Sequence, residues 1–379
     1  MSEGPPARGE LDAMRRSFRA FADAQVAPFA AEADRSGELP AQSLAALRGA
    51  GYIGANLPSD HGGLGLAPVP YGLLTGEIGR ACSAARTLLT VHGLVAETVI
   101  RWGGDALKAE LLPALATGAA LGAIALSEPE AGSDAAAIET VFIPDGDGLR
   151  IEGEKAWTSF GRSADWFLVF GQLDGKPTAA AVPAGTPGLA RSPVEEMVGT
   201  RGAAMAHLRF DGCRIPQAYL IGRPGLGLSH VAATALDHGR YSVAWGAVGI
   251  IDSCLDRSID YARSRSQFGA ALATQPLVRA ELTRLTAMAR SARLLCLHAG
   301  SLRAERHPSA LVETMIAKYV ASQHAVAAAN AAVRLHGARG LSGEWPVERL
   351  LRDAKVTEII EGSTELMELL IGGHASLEP

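Results

Sequence analysis

The sequence has few of the features that mark secreted, membrane or metal-binding proteins. Its four cysteines, Cys82, Cys213, Cys254 and Cys296, are far apart and form no Cys-x-x-Cys pair, so we expect buried thiols. No apolar run reaches the roughly 18 residues of a membrane span. The first residues show no apolar stretch after a basic start. These absences predict a cytoplasmic protein with no membrane partner and no metal site.

Excess positive charge is also missing. The formal net charge is −5 and the pI is near 6.1. A chain of this charge has no general attraction to phosphate backbones, so nucleic acid is not an expected partner. Apolar residues make up 48% and charged residues 20%, which is typical of a folded globular protein. With 379 residues, the chain is long enough for two or three packed subdomains.

The familiar cofactor and catalytic motifs are absent. The glycine-rich segments at 225–228 and 337–343 lack the G-x-G-x-x-G spacing and the preceding strand of a dinucleotide-binding fold. The sequence contains no P-loop, no H-E-x-x-H and no G-x-S-x-G. A Rossmann domain, a P-loop NTPase, a zinc protease and an α/β-hydrolase are therefore all disfavoured.

Hydrophobic periodicity divides the chain into three parts. Residues 1–120 repeat apolar positions at helical spacing, and residues 121–225 contain short β-branched and aromatic runs. Asp147-Gly148 and Asp174-Gly175 are expected hairpin turns, which predicts a mostly antiparallel sheet. Residues 226–379 return to helical spacing. We expect an α+β protein with an N-terminal helical domain, a middle β-domain and a C-terminal four-helix bundle, its helices at about 226–263, 275–305, 311–336 and 346–371.

Five segments carry the strongest functional pattern. They read ALSEPEAGSD (125–134), GEKAWTSFG (153–161), LDHGRYSVAWGAVG (236–249), RSQFGAALATQ (265–275) and VRLHGARGLSGEWPVERLLRDAKVTEIIEGSTEL (333–366). In order and spacing they resemble the acyl-CoA dehydrogenase family over essentially the whole chain. The resemblance implies that the protein binds FAD and oxidises an acyl thioester.

The resemblance implies that two segments line the flavin. Ser127 would hydrogen-bond the pyrimidine edge, and Ser133 would lie near both the FAD and the pantetheine arm of the substrate. The indole of Trp157 would pack on the flavin. Ser159 takes the place of a family threonine that donates to flavin N5. The family pattern W-I-T-N reads Trp-Thr-Ser-Phe here, which keeps the hydroxyl but changes the shape of the pocket.

Two further segments are implied to hold the FAD of a neighbouring subunit, which makes the protein a homo-oligomer, either a dimer or a tetramer. The implied contacts to its diphosphate and adenosine come from Arg265, Gln267, Phe268, Gln275, Arg334, Gly337 and Ala338. Arg334 stands where the family commonly has a glutamine, and GARG replaces Gly-Gly-x-Gly. A guanidinium suits a diphosphate because it is always charged and donates in a fork.

The segment IIEGS implies that Glu361 is the catalytic base. Removing a proton α to a thioester needs a carboxylate with a raised pKa, and we expect the apolar neighbours Ile359 and Ile360 to desolvate it. Gly362 would let the backbone approach the substrate. Some relatives carry their base at the position of Gly239, which leaves Glu361 as the candidate here.

The third segment implies substrate contacts. Asp237 and Arg240, three apart on one helix face, would meet the pantetheine chain. Trp245 is assigned to the substrate site, where it would make the acyl channel shallow if it points inward, although a lone tryptophan on a helix is more often part of a core.

Segments 239–250 and 357–366 resemble the subgroup that acts on acyl groups of acyl-carrier proteins (ACP) in polyketide extender-unit (hydroxymalonyl and methoxymalonyl) biosynthesis. In that subgroup the hydrogen removed can come from an oxygen-bearing C3. Two alternatives stay open: an ordinary short-chain acyl-CoA dehydrogenase and a non-catalytic FAD-binding relative. An electron-transfer flavoprotein or oxygen would accept the electrons.

Overall fold

The first part of the chain is helical. The computed structural model describes residues 8–376. Its opening helices are α1 (Arg8–Gln25), α2 (Ala30–Ser36), α3 (Ala41–Gly49), α4 (Pro68–Ala81), α5 (Ser83–Trp102) and α6 (Asp105–Thr117). Helices α4 and α5 are buried along most of their length, since their sequences are largely apolar or small on every face. They form the interior wall of this part.

The middle of the chain forms one eight-stranded sheet. Its strands are β1 (Gly122–Ala125), β2 (Val141–Asp145), β3 (Gly148–Thr158), β4 (Trp166–Leu173), β5 (Lys176–Pro183), β6 (Leu189–Pro193), β7 (Ala206–Pro216) and β8 (Leu220–Ile221). The order is β6-β7-β3-β2-β4-β5-β8, and β1 also pairs with β4. Strands β1 and β2 run parallel to β4, while the other pairs are antiparallel. The prediction of a mostly antiparallel domain is confirmed.

The two expected hairpin turns differ in outcome. Asp174 and Gly175 are the two central residues between β4 and β5, and both have positive φ, as a tight two-residue hairpin requires. In the other hairpin Asp145 pairs with Gly148, so the central residues are Gly146 and Asp147 and the prediction is one residue late. Gly146 supplies the positive φ there, at +63°.

The last part of the chain is a helical bundle around one long helix. It consists of α7 (Ala233–Ser264), the short strands β9 (Ser266–Gln267) and β10 (Ala270–Ala271), α8 (Pro276–Ala304), α9 (Ala310–His336), α10 (Pro346–Ile359) and α11 (Thr364–Ala375). A π-helical turn, Gly227–Ala232, leads into α7. Helix α7 packs against α4, α5, α8, α9 and α10, so it connects both helical parts. The helix, sheet and helix architecture is confirmed.

One predicted helix was wrong. The pattern predicted a continuous helix over 346–371, but the structure ends α10 at Ile359 and starts α11 at Thr364. Glu361 and Gly362 have φ of +56° and +103°, which a right-handed helix cannot include. Apolar spacing continues across the break, which is why periodicity alone missed it.

The core follows the three parts. One large apolar cluster joins α1, α4, α5, α7, α8, α9 and α10, and two others lie beneath and within the sheet. All four cysteines are buried and unpaired, as predicted. Across residues 8–376 no helix is both long and apolar enough to cross a membrane.

Candidate active site

Glu361 lies in the sharp loop between α10 and α11. Its positive φ is uncommon for a residue with a side chain, and such backbone strain persists only where the surroundings hold it. Ser363 caps α11 by accepting a hydrogen bond from the Leu366 backbone N–H at 3.3 Å. A Cβ on Gly362 would lie 2.7 Å from Cε of Met367. The loop therefore has one tightly specified path.

Two buried cations fix this loop by its carbonyl groups. Arg240 Nε donates to the Glu361 carbonyl oxygen at 3.0 Å, and Lys318 Nζ donates to that of Gly362 at 2.6 Å. Lys318 is fully buried on α9, and burial lowers its pKa to about 8. Both positive charges consequently stand close to the Glu361 carboxylate without forming an ion pair with it.

The carboxyl group of Glu361 rests against α7 at Gly239. A Cβ built on Gly239 would come within 2.5 Å of Cδ and Oε2 of Glu361, so only glycine leaves room for the carboxylate there. Oε2 is shielded from solvent and has no hydrogen-bond partner within the described residues. Burial raises the pKa of Glu361 to about 7, opposed by the charges of Arg240, Lys318 and Arg86. A carboxyl of this kind is suited to proton transfer near neutral pH.

The source of this burial differs from the expected one. Ile359 was expected to shield Glu361, but its side chain is 60% exposed, and Ile360 is only half-buried. The positive φ at Glu361 turns its side chain away from its sequence neighbours toward α7. The helix surface at Gly239 supplies the apolar contact instead.

The two proposed flavin-lining segments meet in the sheet domain. The Ala156 backbone N–H donates to the Ser127 carbonyl at 2.9 Å. Beneath them, Lys155 Nζ pairs with Glu128 Oε1 at 2.6 Å and donates to the Leu126 carbonyl at 3.1 Å. This buried ion pair, which the sequence analysis missed, locks one segment onto the other.

Side chains on these segments are left free. Trp157 has φ of +60° and an indole that is 55% exposed, with one edge against His207. The half-buried hydroxyls of Ser127 and Ser159 make no hydrogen bond with any described residue, and Ser133 is exposed. A rigidly held aromatic side chain at the end of β3, with unpaired hydroxyls just beyond β1 and β3, provides contacts for a planar polar ring.

The proposed diphosphate and adenosine contacts form a separate cluster. In the β9–β10 hairpin Phe268 has φ of +52° and is 96% exposed. Arg334 is 73% exposed, with Nη2 lying 3.6 Å from Glu281 Oε1 near the start of α8. Gly337 and Ala338 are exposed as well. Tyr261 stacks on His336 at 4.3 Å between ring centroids, which brings the ends of α7 and α9 together. The structure thus gathers both segments at one end of the bundle.

The three residues of α7 that were expected to contact the substrate lie in different environments. Asp237 Oδ2 pairs with Arg303 Nη1 at 2.7 Å, whereas Arg240 binds the Glu361 loop, so the two do not act as one pair. Trp245, which was expected to make the acyl channel shallow, is fully buried in the core against Gly72 and Gly76 and does not line the cavity described next. Those two glycines on α4 provide the space that lets the indole pack inward.

A cavity of about 920 Å³ opens beside the first turns of α7. Asp237, His238 and Tyr241 line it from α7, and Tyr71 and Glu97 line it from α4 and α5. Oδ1 of Asp237 is buried and has no partner in the described chain. Burial lowers the pKa of His238 to about 3, so the imidazole is neutral, with Nε2 3.1 Å from the Tyr71 hydroxyl. The cavity therefore offers polar groups along its wall.

The sequence analysis missed three residues of the site. Lys318 and Arg86 interrupt apolar helical runs, and a lone cation in such a run is the signal that could have found them. Glu128 lies within the segment at 125–134, where only the serines were assigned a role. Among residues 8–376, no group of three or more His, Cys, Asp and Glu side chains is arranged to hold a metal ion.

A strained loop that holds a desolvated carboxylate, together with an exposed indole and free hydroxyls at the ends of two strands, is the arrangement of a flavin-dependent dehydrogenase. Family models match the chain in three consecutive pieces: acyl-CoA dehydrogenase N-terminal domain at residues 8–119, middle domain at 123–213 and C-terminal domain at 227–375. The chain belongs to the acyl-CoA dehydrogenase family and is an FAD-dependent oxidoreductase.

Individual relatives agree with this assignment. The chain is 34% identical to the human mitochondrial short-chain specific acyl-CoA dehydrogenase, over 95% of this chain and 88% of that protein. It is 36% identical to FkbI, a protein for biosynthesis of the methoxymalonyl extender unit of a polyketide, with a TM-score of 0.89 over 95% and 99% of the two chains. The prolyl acyl carrier protein oxidase AnaB gives a TM-score of 0.92 at 25% identity, over 98% and 100%.

Proposed function

We propose that the protein oxidises a short acyl thioester, with Glu361 removing the α-proton. The observation that carries the proposal is the Glu361 carboxyl itself, which is desolvated, free of ion pairs and held at Gly239 with a pKa near 7. With a pKa in that range, much of the Glu361 carboxyl is ionised at neutral pH, and the carboxylate still accepts a proton readily. A solvated glutamate would be a much weaker base.

The residues present fit FAD. The exposed face of Trp157 would pack on the flavin, and Ser127 and Ser159 would donate their unpaired hydroxyls to its polar edge. When bound, FAD supplies the acceptor for the hydride that leaves the substrate. The ion pair of Lys155 with Glu128 holds the two contacting segments in place.

The thioester arm would enter through the cavity beside α7. Its amide N–H groups would find an acceptor in Oδ1 of Asp237, whose other oxygen Arg303 holds. The backbone N–H of Glu361 makes no backbone hydrogen bond within residues 8–376, so it is free to donate to the thioester carbonyl. Such a donor stabilises the negative charge that develops on that oxygen when Glu361 takes the proton.

The substrate carrier is proposed to be an acyl-carrier protein. Arg101 and Arg306 line the cavity and are exposed, and these positive charges would attract the acidic surface usual for carrier proteins. FkbI and the carrier-protein oxidase AnaB are similar over nearly the whole chain, which supports this choice. Free CoA is the second candidate, because the identity to the short-chain specific acyl-CoA dehydrogenase, 34%, is close to the 36% identity to FkbI.

Anaerobic bleaching of the flavin tests both parts of the proposal. One short acyl group is presented on CoA and on a carrier protein, at low and high salt. We expect a higher kcat/KM on the carrier, falling with salt, because exposed charges are screened. Arg306→Glu should lower kcat/KM for the acyl group on the carrier protein severalfold. Arg290→Glu, at an exposed position of α8 that does not line the cavity, should leave this kcat/KM unchanged. Equal kcat/KM values for the two carriers, with no dependence on salt, would favour CoA.

If neither thioester bleaches the flavin, the non-catalytic relative is favoured.

The proposed homo-oligomer follows from distances along α7. Arg240 and Arg265 are separated by 25 residues, or about 37 Å of helix. A cofactor lying at Glu361 therefore has to meet Arg265, Phe268 and Arg334 from another copy of the chain if both regions bind it. Sedimentation of the yellow protein tests this, since the proposal requires at least a dimer.

A further inference from the structure

The loop between β6 and β7, residues 194–205, has an unfavourable backbone at three positions. Glu196, Thr200 and Ala204 carry side chains, yet their φ angles are +56°, +53° and +45°. Residues with a Cβ seldom adopt this left-handed conformation, and it persists only where the surrounding structure holds it. The β6–β7 loop is therefore held in place by contacts with other parts of the molecule.

On one side the β6–β7 loop is held by α10. The Thr200 backbone N–H donates to Asp353 Oδ1 at 2.6 Å, and Arg352 Nη1 donates to the Val198 carbonyl at 3.0 Å. A Cβ on Gly199 would lie 2.3 Å from the Arg352 carbonyl oxygen, so only glycine allows this close approach. Asp353 is 4% exposed, and burial raises its pKa, although the hydrogen bond from Thr200 opposes the rise. A carboxyl group is costly in such a place, which indicates that its contact with the loop is needed.

On the other side the same loop holds the end of β3. The Phe160 backbone N–H donates to the Ala203 carbonyl at 2.6 Å. Phe160 directly follows Ser159, which is proposed to contact the flavin, and has a φ of +58°. Within the loop, the Ala203 backbone N–H donates to the Thr200 carbonyl at 2.9 Å. The loop thus fixes the backbone next to the proposed flavin contacts.

These contacts form a row of three hydrogen bonds that starts at Asp353 and ends at Phe160. Hydrogen bonds in such a row strengthen one another by polarisation. Glu361 follows Asp353 by eight residues, just beyond the end of α10. The row therefore connects the helix that leads to the proposed base with the segment that would contact the flavin.

We infer that Asp353 is a positioning residue, which acts through Thr200 to hold the flavin-contacting segment in register with Glu361. The inference rests on the proposed function, since that function assigns the base to one end of the row and the flavin to the other. Proton removal and hydride transfer act on one substrate, so both groups must be placed correctly at the same time. A misplacement of about 1 Å can cost about 10²-fold in rate. Asp353 itself transfers no proton and acts only through the backbone of the loop.

The kinetic test changes both sides of the contact between the loop and α10. Asp353→Ala removes the acceptor, and in the FAD-loaded protein it should lower the rate of flavin reduction at saturating short acyl thioester by roughly 10- to 100-fold, with KM nearly unchanged. Asp353→Asn keeps an oxygen acceptor of the same shape and should recover most of the rate. Gly199→Ala displaces the loop without changing Asp353 and should also lower the rate.

Asp34→Ala is the matched control. It breaks the ion pair of Asp34 with Arg352, the neighbour of Asp353 on α10, but leaves the row of hydrogen bonds in place. We expect a lower Tm and an unchanged rate of flavin reduction.

Flavin fluorescence gives a readout that needs no turnover. Because Trp157 would pack on the flavin, we expect the bound FAD to be weakly fluorescent in the wild type and brighter in Asp353→Ala and Gly199→Ala. Asp34→Ala should match the wild type. Asp353→Asn should stay close to it.

Two outcomes would overturn the inference and leave the dehydrogenase function intact. One is that Asp353→Ala and Gly199→Ala lower Tm alone, with the rate and fluorescence of the wild type. The other is an equal loss of rate in Asp353→Asn and Asp353→Ala, which would assign the effect to the charge. Failure of the wild type to bleach with any thioester would overturn the proposed function, and the fluorescence comparison would still decide whether Asp353 positions the segment.

Discussion

The two ends of α7 differ in whether their surroundings are formed by this chain alone. Near its start, Gly239 packs against the Glu361 carboxyl group, and Arg240 donates to the Glu361 backbone carbonyl. At its far end, the β9–β10 hairpin presents an almost fully exposed Phe268. The first end is organised before any ligand arrives. The second is exposed, and on the proposal above another copy of the chain would complete it.

This difference separates two roles of one helix. The acid-base machinery needs a fixed low-polarity setting, because a carboxyl in water would keep its ordinary pKa. Binding the outer part of a cofactor needs charge and reach, which exposed arginines supply. Changes at the first end should alter rate and pH dependence, whereas changes at the second should alter FAD retention and assembly.

The largest effect is expected at Glu361. Glu361→Gln preserves size but cannot accept a proton, so flavin reduction should slow by about 10²-fold or more while FAD stays bound. Glu358→Gln is the matched control, because its carboxylate pairs with Lys355 instead. Rapid mixing with substrate measures both. Near wild-type bleaching in Glu361→Gln would assign the base elsewhere or indicate oxidation at C3 oxygen without α-proton removal.

At the far end, Arg265→Ala should weaken FAD retention and leave the chemistry of bound flavin unchanged. Losing charge-assisted hydrogen bonds costs roughly 1.5–3 kcal/mol each, or about 10- to 100-fold in Kd. Arg290→Ala serves as control, because it removes an arginine of α8 that lies outside the proposed FAD contacts. Dialysis followed by flavin absorbance gives the comparison. An unchanged FAD Kd would remove this loop from the cofactor site.

Gly239→Ala tests whether the Glu361 carboxyl group needs the space that Gly239 leaves on α7, here called the cradle. The added methyl would lie about as close as a covalent second neighbour to Glu361, so the carboxyl must swing away, and we expect about a 10-fold loss of flavin reduction rate. Stability should not fall, because alanine favours a helix by roughly 1 kcal/mol over glycine. Gly373→Ala on α11 meets nothing within 4 Å and serves as control. Equal rates for the two variants would contradict the cradle.

A smaller effect is expected from Lys318→Met. Its positive charge holds the Glu361 pKa down, so removing it should move the midpoint of the rate against pH to higher pH. The rate at pH 9, where the base is ionised in both proteins, should change less than the rate at pH 7. A midpoint that stays in place would mean that Lys318 acts through the Gly362 carbonyl alone.

The sequence predicts the layers of this fold because periodicity and turn residues are local properties. The three-part architecture and the Asp174-Gly175 turn follow from such patterns. The loop at Glu361 does not, because a backbone break in a continuing apolar pattern depends on Arg240 and Lys318 from other helices. The burial of Arg86 and the inward packing of Trp245 likewise need the space left by glycines that are distant in sequence.

The pH dependence of anaerobic flavin reduction tests the desolvated base most directly. Because Glu361 must be ionised to accept the proton, the rate should rise with pH through a midpoint near 7, where burial places its pKa, and level off above it. The rise should disappear in Glu361→Gln. A midpoint near 4.5, the value for a solvated glutamate, with a flat rate from pH 6 upward, would contradict the account.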